Sequence, residues 1–426
     1  MTTEGIVSAI AEHPWVGAVR RTPWGALLVR PSTDAMTFDS RTWSLVGEYL
    51  QNWANLYDWA FTSADLGDRA GADIVGLTGG SALTEDEVRE WVQQTAALVL
   101  ESRPRRVLDL GCGTGLLLRH LQGHIGCYVG ADLSRYAVDR VREARLPYTY
   151  AVIAGAHRTA SPQVKRAMTE VMGAARPDCV LINNVAQCFP GTQYLAAVLG
   201  DAINLVEPGG RVILGDLRHH GLSDEYHRQL TSGPRWASGR FDEEEELLLD
   251  PRLVAFFASV SGRKVKVSVR AKTLRGDNEI TRYRYDVVLH VETQDEQVEL
   301  DQVHWEDLPG NRPEALARLL EVGPVVVTGI PNALLTPSAD GATANALSAV
   351  LKGTGLAVEI ALDDPRKLDI RPSNGHTSQP RIQPTQDDPI DRFITRRLPE
   401  VLRGHLAESV PGTRLPEIIV DPKPNW

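Results

Sequence analysis

Two acidic residues and three glycines in the first third of the chain have the spacing of a nucleotide-binding site. A short apolar run ends in an acid and is followed by glycines at alternate positions, in the order Asp109, Gly111, Gly113 and Gly115. Glycine allows sharp turns and close approach of the backbone to a ligand, because it has no Cβ. A second acid, Asp132, ends the next apolar run, where α/β proteins hold ribose hydroxyls.

These residues need a sheet whose strand ends lie side by side. Short apolar runs predict strands at 106–110, 128–132, 148–153, 179–183 and 211–216. Amphipathic segments between them predict helices at 116–121, 136–144, 161–175 and 194–206. Alternation of this kind predicts an α/β fold with a doubly wound, Rossmann-like parallel sheet, in which both acids lie at the carboxyl edge.

Further elements are expected on either side of this core. A capping box, Thr84 to Glu87, opens a helix that leads to the first core strand. Segments 265–270 and 283–291 predict a closing antiparallel pair, and residues 241–259 predict a helix that starts at the acids of 242–246. Residues 40–63 form an aromatic-rich amphipathic helix, which is either core or a lid over the site.

Composition excludes several classes of function. The chain has 426 residues, is 42% hydrophobic and 23% charged, and carries a formal charge of −10 without a basic run, so a broad nucleic-acid-binding face is not expected. No apolar run approaches the ~20 residues of a membrane span, and there is no secretory signal, so we expect a cytoplasmic protein without membrane contact. The cysteines form no C-x-x-C pair and predict buried reduced thiols, not metal ligands or disulfides: Cys112, Cys127, Cys179 and Cys188.

The glycine-rich stretch resembles motif I of the class I S-adenosylmethionine (SAM) methyltransferases. Residues 40–332 as a whole resemble the methyltransferase domain embedded in adenylation domains of nonribosomal peptide synthetases. The resemblance is carried by six stretches: 107–118 (VLDLGCGTGLLL), 183–190 (NNVAQCFP), 209–218 (GGRVILGDLR), 243–251 (EEEELLLDP), 278–291 (NEITRYRYDVVLHV) and 329–332 (GIPN). It implies a class I fold with an N-terminal helical lid.

The two ends resemble the adenylation subdomain that surrounds such an insertion. The matching stretches are 6–14 (IVSAIAEHP) and 396–420 (RRLPEVLRGHLAESVPGTRLPEIIV). The resemblance implies three parts: an N-terminal flank at 1–33, a methyltransferase domain at 34–332 with a lid at 34–105 and a core at 106–292, and a C-terminal flank at 333–426. The flanks together would form a small α+β region. The family's terminal loop with its catalytic lysine is not matched, so adenylation is not expected.

The resemblance implies SAM as cofactor and S-adenosylhomocysteine (SAH) as product. The cofactor-binding residues would be Asp109, Gly111, Cys112, Gly113, Gly115, Asp132, Leu133, Asn183 and Gln187. Many class I enzymes place an acid near adenine after the third strand; this chain does not, so the backbone or His157 would serve. The candidates for catalysis follow the fifth strand: Asp216, His219 and His220. A histidine there would be a suitable general base for a hydroxyl acceptor, but an ordinary surface-loop histidine is the simpler interpretation of the sequence.

Three functions are compatible with these residues. The first is methyl transfer to the amine of an amino acid or of a carrier-protein-bound aminoacyl intermediate, in nonribosomal peptide or antibiotic biosynthesis, with a synthetase or carrier protein as partner. The second is methyl transfer to N, O or C of a free small molecule. It is favoured by the stretch 74–81 (IVGLTGGS), which replaces an aromatic, serine-rich segment that faces the acceptor in the family. The third is a non-catalytic scaffold.

Overall fold

The structure is a computed structural model. It describes residues 3–37, 44–63, 83–159, 161–231, 246–293, 300–309, 312–336, 340–376, 388–409 and 416–422. The predicted loop at 64–81, with its altered stretch 74–81, lies outside the described residues.

The described strands form two sheets. They are β1 (Val16–Arg21), β2 (Leu27–Pro31), β3 (Arg106–Leu110), β4 (Cys127–Asp132), β5 (Thr149–Ile153), β6 (Cys179–Asn183), β7 (Arg211–Arg218), β8 (Val265–Ala271), β9 (Arg284–Val291), β10 (Gln302–His304), β11 (Val326–Pro331), β12 (Leu356–Ile360), β13 (Lys367–Pro372) and β14 (Ile418–Val420). The large sheet has the order β10-β11-β13-β12-β8-β9-β7-β6-β3-β4-β5.

One half of the large sheet is the predicted doubly wound core. Strands β5, β4, β3, β6 and β7 are parallel neighbours in that order. Strand β9 is antiparallel to both β7 and β8, which confirms the predicted closing pair. Successive strands β4 and β5 are added on one side of β3, whereas β6 and β7 are added on the other side, so β3 and β6 flank the switch point where α/β sheets bind ligands.

The other half extends the sheet beyond β8 through β12, β13, β11 and β10. Strands β10 and β13 are not predicted by the sequence. In β13, the charged Asp369 and Arg371 interrupt the apolar pattern, yet Asp369 is buried, accepts from Gly329 N at 3.0 Å and pairs with Arg371 at 2.8 Å. The expected boundary between the methyltransferase domain and the C-terminal flank, at residue 332, falls between β11 and β13, and these two strands pair with each other. The division into domains remains a prediction.

Helices cover both faces of the core. They are α1 (Thr3–Ala11), α2 (Thr33–Met36), α3 (Leu45–Ser63), α4 (Glu85–Leu100), α5 (Leu116–Leu121), α6 (Arg135–Glu143), α7 (Pro162–Met172), α8 (Thr192–Leu205), α9 (Ser223–Thr231), α10 (Pro251–Ser259), α11 (Glu279–Tyr283), α12 (Arg312–Val322), α13 (Ala344–Val350) and α14 (Pro389–Ser409). The predicted capping box is present, since Thr84 Oγ1 accepts from Glu87 N at 3.2 Å and Glu87 Oε2 accepts from Thr84 N at 2.8 Å.

The two flanks meet in the small sheet. Strand β2 pairs antiparallel with β1 and parallel with β14, and α1 and α14 pack on them, which confirms a small α+β region. Helix α14 also lies against α3. Phe393 contacts Tyr49 edge-on at 5.5 Å between ring centres, and Arg397 Nε is 2.5 Å from Glu48 Oε1.

In its described part, the predicted helix at 241–259 is confirmed from Pro251 to Ser259 and wrong at 246–250. Residues 246–250 are not helical, and α10 begins only after Asp250, whose carboxylate accepts from Arg252 N at 2.8 Å. Leu249 forms a bridge with His219. Glu246 is not a solvated helix start, because its side chain is buried in an ion pair with Arg218. Pro251 is the first helical residue, a position that suits proline.

Two chain-wide expectations can be compared with the structure. All four cysteines are free and buried. Within the described ranges, no helix is both long and apolar enough to span a membrane.

Candidate active site

The loop after β3 can only be built with glycine at two of its positions. Gly111 has φ +90°, and a Cβ there would lie 2.7 Å from Val185 Cγ2. Gly115, with φ +81°, is the residue from which α5 begins, and a Cβ there would lie 3.1 Å from Val141 Cγ2. L-residues with side chains rarely adopt this left-handed region. The sequence spacing therefore predicts the loop correctly.

Asp132 at the end of β4 is fixed by backbone donors. Its Oδ2 accepts from Gly113 N at 2.9 Å and its Oδ1 accepts from Ser134 N at 2.8 Å. Burial raises the pKa of this carboxyl, while the two backbone hydrogen bonds oppose the shift. Ser134 Oγ in turn contacts Asp58 Oδ1 on α3, which links α3 to the edge of the sheet.

Asp109 has one oxygen that accepts no hydrogen bond from any residue the structure describes. Its Oδ2 accepts from Tyr128 OH at 2.6 Å, whereas its Oδ1 is buried and meets no hydrogen-bond donor among the described residues. Burial raises the pKa of Asp109 to about 7. A buried carboxylate is costly unless it is paired, so this oxygen calls for a donor, preferably a cationic one.

Most of the predicted cofactor residues line one cavity. They are Asp109, Gly111, Cys112, Gly113, Asp132, Leu133 and Asn183. Gly115 and Gln187 are not among its lining residues. Gly115 shapes the turn, and Gln187 Nε2 donates to Asn184 O at 3.0 Å and to Asn184 Oδ1 at 2.7 Å.

Helix α3 supplies an aromatic wall of the same cavity. Leu50, Trp53, Tyr57 and Phe61 line it, while Leu45 and Tyr49 are buried in the core. Both interpretations of this amphipathic segment are thus partly correct, since one helix packs into the core and covers the cavity. Trp91 of α4 completes the wall, and no sequence signal separates it from an ordinary core tryptophan.

The loop after β5 lines the cavity with its backbone and small side chains. Ala154, Gly155 and Ala156 are in the wall. The ring of His157 is directed toward Tyr194, with His157 Nδ1 2.7 Å from Tyr194 OH. Of the two alternatives for adenine, the placement of these residues favours the backbone.

The three residues predicted for catalysis lie outside the lining of the cavity. His219 is buried, its Nδ1 accepts from Gly221 N at 3.0 Å, and its ring centre is 5.3 Å from that of Tyr285. Burial lowers the pKa of His219 to about 4, although Asp250 acts in the opposite direction. His220 begins the short turn at 220–222.

Asp216 belongs to a buried charge network behind the cavity wall. Its side chain accepts from Trp91 Nε1 at 2.6 Å and pairs with Lys272 Nζ at 2.5 Å. Lys272 Nζ also contacts Asp286 Oδ1 at 2.6 Å, and Asp286 Oδ1 accepts from Asp216 N at 2.9 Å. Burial opposes the charge of Lys272, but the two carboxylates outweigh it and hold its pKa above the usual value.

A second buried network supports the neighbouring strand ends. Glu279 accepts from Arg284 Nε at 2.9 Å and from Arg218 Nε at 3.0 Å. Burial opposes the charge of Glu279, yet the two guanidinium groups outweigh it and lower its pKa to about 2. Arg284 Nη1 also donates to Asn184 Oδ1 at 3.0 Å, so this network reaches the turn after β6. Sequence reasoning missed both networks.

Comparison with known proteins agrees with this geometry. Residues 83–247 match the model of a methyltransferase domain family. The chain is a class I SAM-dependent methyltransferase. It is 35% identical over 298 residues to a probable non-canonical nonribosomal peptide synthetase, CymA, of Salinispora arenicola (strain CNS-205), a match that covers 67% of this chain and 4% of the synthetase. The cofactor is accordingly SAM.

Two further synthetases show the same relation. Chondramide synthase cmdD of Chondromyces crocatus is 29% identical over 321 residues, covering 68% of this chain and 8% of that protein. PF 1022-synthetase of a Rosellinia species is 31% identical over 321 residues, covering 67% of this methyltransferase and 10% of the synthetase. The chain thus spans 4 to 10% of the length of these relatives. It resembles the methyltransferase domains of such synthetases.

Proposed function

We propose that this methyltransferase transfers the methyl group of SAM to the amine of an amino acid or of a carrier-tethered aminoacyl intermediate in natural-product assembly. The observation that carries the choice of an amine is the placement of His219. This candidate base is turned toward Gly221 and Tyr285, and burial lowers its pKa to about 4, which makes it a weak base. The relation to peptide synthetases supports an amino-acid substrate.

The residues present fit SAM. Asp109 Oδ1 is the buried acceptor that a cationic amino group would satisfy, and Asp132 lies at the strand end where ribose hydroxyls are held. Gly111 and Val185 both line the cavity and pack so closely that a Cβ at position 111 would lie 2.7 Å from Val185 Cγ2. SAM supplies a methyl group bound to a positively charged sulfur, which is a good leaving group. The aromatic wall of α3 and Trp91 would exclude water from this centre.

The contribution of the protein is then mainly positioning. Alignment of the nucleophile with the methyl carbon and the leaving group can supply ~7–11 kcal/mol of the barrier. An α-amine has a pKa near ~8 and is partly deprotonated at neutral pH without a dedicated base. A hydroxyl acceptor would need a base in contact with it, and none of the described residues that line the cavity is a histidine.

The test begins with the cofactor and continues with the acceptor. Isothermal titration with SAH should show binding. Turnover would then be compared for an aminoacyl thioester of N-acetylcysteamine, the free amino acid, and the hydroxyacyl thioester of the same side chain. We expect kcat/KM in that descending order. Equal values for thioester and free amino acid would favour a free substrate, and faster methylation of the hydroxyacyl compound would refute an amine acceptor.

A further inference from the structure

Asn183 occupies a space that exists only because its neighbour is glycine. Asn183 ends β6 and lies in register with Gly215 of β7. A Cβ at Gly215 would lie 1.9 Å from Asn183 Oδ1 and 2.9 Å from its Cγ. The amide therefore lies directly over the glycine. Asn183 is buried, and it lines the cavity.

The neighbouring carboxylate determines which way this amide is turned. Asn183 Nδ2 is 3.5 Å from Asp216 Oδ2, a long hydrogen bond, and the same oxygen accepts from Trp91 Nε1 at 2.6 Å. An ionised carboxylate can only accept hydrogen bonds, so the amide nitrogen must face it. The amide oxygen is left over. It finds no hydrogen-bond partner in the described part of the chain.

Lys272 pairs with both Asp216 and Asp286 in a buried position. Asp216, Lys272 and Asp286 are all buried, with exposures of 0%, 6% and 6%. Without the cation at 2.5 and 2.6 Å, two carboxylates would share this space, and one of them would take up a proton. A protonated carboxyl can donate as well as accept, so loss of the cation would release the orientation of the Asn183 amide.

The order of the strands indicates what the free amide oxygen meets. Along the carboxyl edge, β4, β3 and β6 present Asp132, Asp109 and Asn183 in that sequence. If the ribose lies at Asp132 and the cationic amino group of the cofactor at Asp109, Asn183 is the next group away from the adenine end. An uncharged acceptor at this point suits an N–H donor on the substrate.

We propose that Asn183 Oδ1 accepts a hydrogen bond from the methyl-accepting amine, and that Asp216 and Lys272 are positioning residues that hold the amide in this orientation. This inference rests on the proposed function. The amine nitrogen forms its bond to the methyl carbon with its lone pair while the carbon–sulfur bond breaks and its electron pair stays on sulfur. The nitrogen becomes positively charged, so its N–H bond to Asn183 strengthens in the transition state, and the extra proton then passes to water.

Sinefungin tests the assignment without any knowledge of the acceptor. This analogue of SAM carries an amine-bearing carbon in place of the methyl-bearing sulfur, whereas SAH carries nothing at that position. The quantity to measure is the ratio of the SAH and sinefungin dissociation constants. A hydrogen bond with a charged partner is worth enough to favour sinefungin by about tenfold or more in the native protein.

Two variants change the orientation of Asn183 by different routes. Asp216→Asn keeps the shape of the side chain, but its amide lets Asn183 turn over. Lys272→Met removes the cation, and Lys264→Met, at an exposed position just before β8, is the matched control. We expect the first two variants to lose the preference for sinefungin while SAH binding persists, and the control to retain it.

Three results would overturn the proposal. One is a ratio of SAH to sinefungin dissociation constants in Asp216→Asn that equals the native ratio. Another is weakening of both ligands by the same factor, which would assign the amide to the amino group of the cofactor. The third is a native protein that binds SAH but does not bind sinefungin more tightly than SAH. Absence of all binding by the folded native protein would be a failure of the proposed function instead. If Lys272→Met does not fold, Asp216→Asn alone decides.

Discussion

Replacement of Gly215 by alanine is the sharpest perturbation that the site allows. The backbone at Gly215 does not have a positive φ, so alanine introduces no backbone strain. Its methyl group would lie 1.9 Å from Asn183 Oδ1, about 1.5 Å short of the 3.4 Å at which ordinary contact begins. Because the sheet fixes the backbone of both strands, the Asn183 side chain must yield.

The size of the effect follows from that displacement. A shift of roughly 1 Å in a positioning group can cost about 10²-fold in rate, equivalent to about 2.7 kcal/mol of activation free energy. The hydrogen bond from Asn183 Nδ2 to Asp216, already 3.5 Å long, would be lost as well. Overpacking of a buried site lowers the free energy of unfolding by roughly 1–3 kcal/mol. We expect SAH binding to be less affected than turnover.

The assay measures kcat/KM with an aminoacyl thioester, the SAH and sinefungin dissociation constants, and the unfolding midpoint in denaturant. Gly200→Ala in α8 is the matched control, because a Cβ there meets no atom within 4 Å. That change should leave activity intact and stabilise the helix by up to about 1 kcal/mol. Native kcat/KM and native sinefungin preference in a folded Gly215→Ala protein would refute the role of the Asn183 amide.

Three further predictions concern the rest of the site and its supports. Since Asp109 has a pKa of about 7 and pairs with a cation only when ionised, the affinity for SAH should rise from about pH 6 to about pH 8, and Asp109→Asn should weaken binding and flatten this dependence. Asp388→Ala removes the carboxylate that accepts from Thr192 N at 2.9 Å and from Thr192 Oγ1 at 3.0 Å, so it should destabilise the start of α8 by about 1 kcal/mol. Because α8 adjoins the wall of the cavity, SAH binding should weaken as well. Thr84→Ala breaks the capping box of α4 and should lower the free energy of unfolding by about 1 kcal/mol.

Each of these has a control. Titration of SAH across pH should give a flat affinity only in Asp109→Asn, and a flat native profile would contradict the role of that carboxyl. Glu408→Ala, on the exposed end of α14, is the control for Asp388→Ala and should not change SAH binding. If Asp388→Ala binds SAH as tightly as the native protein, the cavity wall does not depend on the cap that Asp388 provides for α8. Asp86→Ala, with a largely exposed ion pair, should cost less than Thr84→Ala in chemical denaturation.

The sequence predicts the part of the site that local rules determine. Alternating apolar runs place the strand ends, and the glycines that follow Asp109 can be recognised because positive φ and a crowded neighbour require them. Asp132 follows from its position at a strand end. These features depend on a few consecutive residues, so they are visible without the fold.

The charge network is not visible in this way. Trp91, Asp216, Lys272 and Asp286 come from four separate segments, and each alone has the pattern of an ordinary core or surface residue. Only the pairing of β7, β9 and β8 brings the charged groups together. The helix start at Asp250 was missed for a related reason, since acids at 242–246 satisfy the same local rule as the real cap.

Strand β14 pairs with β2, so Ile418 lies beside Leu27 and the small sheet joins segments near the opposite ends of the described residues. Contacts between such distant positions carry a high loop-closure entropy and form late in folding. Helix α3, which walls the cavity, rests on α14 through Glu48 and Tyr49. During synthesis, the core sheet can therefore assemble before the wall of the candidate site has support, and binding competence waits until α14 has been made.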